Sequence, residues 1–188
     1  MIKTQAVAKC ILAGEHAVLR GSPAIAIPLP AYPLTLQYRP QSSQSIWVNG
    51  AQSVDDIDRL HHALDVACQY IACTVPSGYW TLNHAIPIGK GLGFSAACAV
   101  AIGRMLIQLK KCQPEALHAL ATHIESQCGH GISSGLDIAA CAQTDRRWLF
   151  YRRHHPWTLF EPKMRLCLTL TDSGTMGATR TAIEKVLQ

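Results

Sequence analysis

The stretch IPIGKGLGFSAACAV, residues 86–100, sets three glycines within five positions directly against a run of alanines. Glycine is the residue most costly to order, and alanine the one most readily placed in a helix. A tight loop therefore opens here into a helix whose first turn of N–H groups stays uncovered. Uncovered N–H groups at a helix start attract anions, most often phosphate. The same glycine pattern also joins strands to helices with no ligand at all, so this stretch alone leaves both readings open.

The rest of the chain supplies the layers around that junction. QAVAKCIL, residues 5–12, reads as a strand with Lys9 set in an otherwise small and apolar run, and GEHAVLRG as a turn. PAIAIPLP and YPLTLQYRP read as two further strands, and their prolines favour strand starts and edges. QSIWVNG ends in Asn49-Gly50, a hairpin-type turn signal. Asp55 and Asp56 precede Ile57, Leu60, Leu64, Ala67, Cys68 and Ile71, whose spacing predicts a capped helix with one buried stripe. GYWTLNHAIP is a strand leading into the glycine loop, and from Ser95 to about Lys110 runs a helix apolar on nearly every side. Pro114 opens another helix, with Leu117, Leu120, Ala121 and Ile124 facing inward. GHGISSGLDIAA is a second loop entering a helix, RRWLFYRR, WTLFE and RLCLTLTDS read as strands, and TRTAIEKVLQ starts a helix. Strands, then helices, then strands predict an α+β fold.

With 188 residues, 48% hydrophobic and 15% charged, the chain has the composition of a soluble globular protein. The net charge of +5 suits a small anionic substrate, but the basic residues are scattered apart from Arg152-Arg153-His154-His155, and aromatics are only 6%. A nucleic-acid partner, which asks for a basic face with stacking rings, is not expected. No apolar run is long enough to span a bilayer, and the N-terminus lacks the apolar core of a signal peptide. The eight cysteines form no CxxC pair, and several, such as Cys68, Cys98 and Cys167, sit in apolar stretches. Buried free thiols point to a reducing compartment, so a cytoplasmic location is expected.

Lys9, Glu15 with His16, the glycine loop with Ser95, and Asp137 are the candidate chemistry. Singly each has a plain structural role: a strand lysine sends its head to water, and Ser133, Ser134 or Ser95 cap helices. In order they say more. AKCILAGEHAVLRGSPAIAIPL, PIGKGLGFSAA and HGISSGLDIA together resemble the GHMP kinases, and within them the mevalonate kinases, whose motifs run Lys-x-x-Leu-x-Gly-Glu-His-Ala-Val, Pro-x-Gly-x-Gly-Leu-Gly-Ser-Ser-Ala-Ala and His-Gly-x-Pro-Ser-Gly-x-Asp. The resemblance covers essentially the whole chain.

It implies the GHMP-kinase N-terminal domain (ribosomal protein S5 domain 2-like) over residues 1–170. Residues 171–188 would begin a C-terminal domain that is otherwise largely absent. It also implies phosphoryl transfer from ATP, with Mg²⁺, to the 5-hydroxyl of mevalonate or a related small hydroxy acid, a step of isoprenoid precursor synthesis. Such a reaction needs cradled phosphates, a metal and a base aimed at the hydroxyl. By similarity, Gly89, Lys90, Gly91, Leu92, Gly93, Phe94, Ser95 and Ala96 would hold the nucleotide, and Ser95 and Glu125 the metal. Asp137 would take the hydroxyl proton beside Lys9, and Glu15 and His16 would orient the substrate.

Departures are specific. Phe94 stands for the first serine of Gly-Ser-Ser, Ile132 for the proline before the aspartate, and Val7-Ala8 for Pro-Gly. Glu125 precedes His130 by one residue more than the family spacing, which falls on Ser126, so a one-residue bulge would be needed. The chain is expected to be weak or inactive alone, whether shortened, split or degenerate, and to form a homodimer or meet a second chain supplying the missing half. Alternatives are another GHMP kinase, acting on phosphomevalonate or a sugar, and a non-catalytic module binding nucleotide or a partner.

Overall fold

The computed structural model describes residues 1–43, 45–49, 54–129, 131–163, 167–172 and 174. Its strands are Ile2–Ala13 (β1), Ala24–Pro40 (β2), Ser45–Asn49 (β3), Gly78–His84 (β4), Trp148–Tyr151 (β5) and Thr158–Phe160 (β6). Its α-helices are Val54–Tyr70 (α1), Phe94–Gln108 (α2), Leu117–Cys128 (α3) and Leu136–Cys141 (α4), with 3-10 turns at His16–Arg20 and Pro114–Ala116. The architecture is the α+β class that the order of elements predicts. No helix among the described residues is long and apolar enough to cross a membrane.

One sheet of six strands runs β3-β4-β2-β5-β6, with β1 paired to β2. Alternation fixes its buried face: Leu34, Leu36 and Tyr38 are buried while Thr35 and Gln37 between them are less so. Trp80 and Leu82 on β4 continue that face, and Leu60, Leu64, Met105, Leu106, Leu120 and Ile124 of α1, α2 and α3 close the core over it. The alanines of α2 let it lie close to β1, where the buried Thr4 hydroxyl donates to the Ala101 carbonyl at 2.9 Å.

PAIAIPLP and YPLTLQYRP are one strand of 17 residues, β2, and it is central rather than marginal. The prolines explain how. β5 pairs β2 at 24–26 and β4 pairs it at 34–40, so Pro28, Pro30 and Pro33 fall between those two pairings. There a missing N–H breaks no ladder on the open side. The β1–β2 register also slips between Val7, opposite Pro33, and Ala8, opposite Leu29.

Asn49-Gly50 does not make a hairpin between paired neighbours. β3 pairs β4 in parallel, Ser45 opposite Tyr79, and parallel strands need a crossover, here α1. Gly50 lies outside the described residues, as do TRTAIEKVLQ, His130 and much of RLCLTLTDS. The described part of that last segment, 167–172, is not a strand, and Leu168 and Leu170 are 51% and 50% exposed. Its apolar alternation has no paired neighbour among the described residues, and Cys167 is exposed rather than buried. Of residues 171–188, only 171, 172 and 174 are described.

Candidate active site

β1 delivers Lys9 to the centre of the molecule. Its backbone N–H donates to the Leu92 carbonyl at 3.0 Å, tying the strand to the glycine loop. Its side chain does not turn to water: it is 4% exposed, and Nζ lies 3.1 Å from Asp137 Oδ2 in the first turn of α4. Burial pulls an ammonium's pKa down, but Asp137's charge and hydrogen bond outweigh it, so Lys9 titrates above the ordinary 10.5 and stays charged. Asp137, 30% exposed, keeps a face to solvent.

The glycine loop arches over this pair. Gly89, Gly91 and Gly93 all take left-handed backbone. At Gly93 the need is also one of space, since a Cβ would stand 2.8 Å from Lys9 Cγ and 3.1 Å from Cys141 Sγ. Gly93 is the N-cap of α2 and makes no side-chain cap, which leaves the first N–H groups of a 15-residue helix available. Phe94 packs edge-on to His84, ring centroids 4.7 Å apart, and offers the loop no hydroxyl.

The second loop is held by its serines. Ser133 Oγ donates to Glu125 Oε2 and accepts the Gly135 N–H at 3.2 Å. The Ser133 N–H donates to Ser126 Oγ, and Ser134 Oγ accepts the Leu136 N–H, each at 3.2 Å. Desolvation of the Glu125 carboxyl, reinforced by the charge of Asp137, pushes its pKa up to about 7. α3 runs unbroken through Glu125, so no bulge in the helix is needed to bring it to the site.

These parts surround one cleft of about 480 Å³. Lys9, Asp137, Glu15 and His16 line it on one side, Gly89 and Gly91 through Ser95 on another, and Glu125 with Ser133 and Ser134 on a third. Two expected residues do not line it. Lys90 points away, its Nζ 2.9 Å from Asp172 Oδ2, and Ala96 is fully buried in the core. Sequence reasoning saw Ser133 only as a helix cap and missed its bond to Glu125, and it missed Cys141, whose Sγ lies 3.6 Å from the Gly93 carbonyl oxygen. Neither contact follows a spacing rule, because each crosses between separate elements.

Among the described residues no three His, Cys, Asp or Glu side chains gather into a metal cage. Mg²⁺ does not ask for one: it binds through one or two carboxylates, water and the phosphates of its substrate. The hard oxygens of Glu125 and Ser95, both on the cleft, fit that donor set.

Residues 58–144 match the profile of a family described as "GHMP kinases N terminal domain". Among solved structures, a mevalonate kinase from methicillin-resistant Staphylococcus aureus is 29% identical, covering 84% of this chain and 54% of its own, with a TM-score of 0.61. The Methanococcus jannaschii mevalonate kinase is 19% identical over 86% of this chain and 56% of its own, with a TM-score of 0.65. A Streptococcus pneumoniae phosphomevalonate kinase is 19% identical over 80% and 48%, with a TM-score of 0.57. The chain thus spans about half the length of these enzymes. No curated protein sequence matches it at a significant level. The mixed α+β fold is that of the GHMP-kinase N-terminal domain.

Proposed function

We infer that this chain, built on a GHMP-kinase N-terminal domain, transfers the terminal phosphoryl group of ATP to a hydroxyl of a small molecule. The observation that carries the reading is the pair of buried Lys9 and partly exposed Asp137, 3.1 Å apart, in a cleft shared with an uncapped helix start. Phosphoryl transfer asks little covalent chemistry of a protein and much positioning. In this reading the N–H groups of Gly89 to Ser95 hold the phosphates. Asp137 accepts the proton of the attacking hydroxyl, and the Lys9 ammonium beside it stabilises the alkoxide as it forms. Glu15 and His16, at the mouth of the cleft, orient the acceptor. Ser95 and Glu125 would hold Mg²⁺, which supplies charge neutralisation across the phosphates.

For the acceptor we favour mevalonate, on the GEHAVL segment and the 29% identity to the staphylococcal mevalonate kinase. Phosphomevalonate and a sugar are the competing substrates. A second reading, nucleotide binding without turnover, draws on Phe94, which removes a hydroxyl from the phosphate loop. A homodimer or a second chain beside the cleft, in a cytoplasmic setting, completes the proposal, and sedimentation checks the assembly.

An ADP-release assay with mevalonate, phosphomevalonate and galactose, run beside calorimetry with a non-hydrolysable ATP analogue, separates these readings. Mevalonate-dependent release that falls by a factor of about 10² or more in Asp137→Asn, with nucleotide affinity little changed, supports the kinase. Full turnover in Asp137→Asn removes that residue from the mechanism, and tight nucleotide binding with no release under any acceptor favours the second reading.

A further inference from the structure

A second cavity, of about 340 Å³, shares the Ser133-Ser134 loop with the first and is bounded by α3 and the β5–β6 hairpin. Three rings tier along it: His118 to Trp157 at 5.0 Å between centroids and Tyr151 to Trp157 at 6.2 Å, with planes 32° and 26° apart. Two of the rings are fixed by hydrogen bonds. The Tyr151 hydroxyl donates to the Ser134 carbonyl at 2.8 Å, and His118 Nε2 to the Gly135 carbonyl at 3.1 Å. The third, Trp157, is 39% exposed and presents a free edge of the tier.

The polar side of the cavity is basic. Arg153, His154 and His155 line it, and no carboxylate does among the described residues. His154 sits in left-handed backbone at φ 63°, and the His155 N–H closes a turn on the Arg152 carbonyl at 3.1 Å, so the two imidazoles are presented on a tight turn. In the wall, the buried Thr122 hydroxyl has no hydrogen-bond partner among the described residues. A buried hydroxyl without a partner is uncommon in a folded chain and marks a place where a polar ligand atom or water completes the set. Stacking rings, a guanidinium with two imidazoles, and an unanswered hydroxyl converge on one chemistry. A volume of this size falls in the range of small-ligand sites.

We propose that this cavity is a binding site for a small aromatic phosphate, its flat ring laid on Trp157 and its phosphate held by Arg153, His154 and His155. The guanidinium matches phosphate geometry in a way a lysine would not. The site stands apart from the nucleotide cleft and does not depend on the reading given to that cleft. Their shared wall, Ser133 and Ser134, also holds Glu125 and leads into Asp137.

Calorimetric titration of the 188-residue chain with phenyl phosphate, inorganic phosphate and phenol tests the proposal. Phenyl phosphate is expected to bind saturably, and either part alone about tenfold or more weakly. Arg153→Ala and Trp157→Ala should each weaken phenyl phosphate by about tenfold, while Ser95→Ala, at a residue lining the first cleft, leaves it unchanged. His154→Gly suits the left-handed backbone, so it removes an imidazole without strain and should also weaken binding in a chain whose melting is unaltered. Absence of saturable binding overturns the site. So does binding that survives the Arg153, His154 and Trp157 variants, or that is lost in Ser95→Ala, which would place the anion in the first cleft.

Discussion

Lys9 and Asp137 are unequal partners, and the inequality is testable. Removing the carboxylate strands an ammonium that is 4% exposed, whereas removing the ammonium leaves a carboxylate that is 30% exposed and can turn to water. An uncompensated buried charge costs about 3–5 kcal/mol. Asp137→Ala should therefore lower the unfolding free energy by about 3 kcal/mol or more, and Lys9→Met by less than half as much, although both delete the same ion pair. Urea unfolding checks this, and equal losses would mean that Lys9 reaches water in solution. The pair also sets a pH dependence at the alkaline end. Pairing with Asp137 outweighs burial and raises Lys9 above 10.5, so the folded chain holds that proton more tightly than the unfolded chain. The stability it contributes is complete below the unfolded value and is lost as the pH rises through the higher folded value. The difference between the parent and Lys9→Met should then decline above about pH 10. A difference already falling near pH 8 would put the folded pKa below the unfolded one.

Among the elements, the loop entering α2 concentrates the constraints. Gly91 and Gly93 have similar left-handed backbone, φ +72° and +78°, but a Cβ at Gly91 meets nothing within 4 Å while one at Gly93 meets Lys9 Cγ at 2.8 Å. Gly91→Ala should cost only the backbone strain, about 1–2 kcal/mol. Gly93→Ala should cost that and about 1 kcal/mol or more for overpacking, and should displace Lys9 from Asp137. Thermal melts of the two variants compare them, and equal shifts would mean that the loop repacks freely around the added methyl. The contrast also marks what the sequence discloses. Loop, helix start and the alternation of Leu34, Leu36 and Tyr38 are local patterns, and the helices at 54–70 and 94–108 follow from them. Pairing is not local. Pro28, Pro30 and Pro33 argue for edges until β4 and β5 are seen to stop short of them. Asn49-Gly50 argues for a hairpin until α1 carries the chain across to a parallel neighbour. A lysine in an apolar strand looks solvent-bound until Asp137, far along the chain, is placed beside it.

Across the molecule, the cleft lies where two hydrophobic clusters of unequal size meet. The larger joins α1, α2 and α3 to β1, β4 and the far half of β2 and holds 27 buried residues among those described; the smaller holds eight, among them Val18, Ala24, Leu136, Leu149 and Tyr151. α4 belongs to both: Ile138 and Cys141 face the larger cluster, Leu136, Ala139 and Ala140 the smaller. Asp137 rides on that bridging helix, while Lys9 and the glycine loop are anchored on the larger side. A unit with few buried contacts opens at lower free energy than one with many. Amides of α4 and β5 should thus exchange before those of α2, and each such opening parts Asp137 from Lys9 without unfolding the glycine loop. Leu149, fully buried in the smaller cluster, is the place to test it. Leu149→Ala should cost about 2–5 kcal/mol locally and speed exchange in Leu136–Cys141 and Trp148–Tyr151 while leaving α2 protected. Leu106→Ala, in the larger cluster, should instead speed exchange throughout. Hydrogen exchange read by mass spectrometry distinguishes the two. If Leu149→Ala speeds α2 as much as α4, the clusters open as one unit, and Asp137 is no more mobile than the glycine loop.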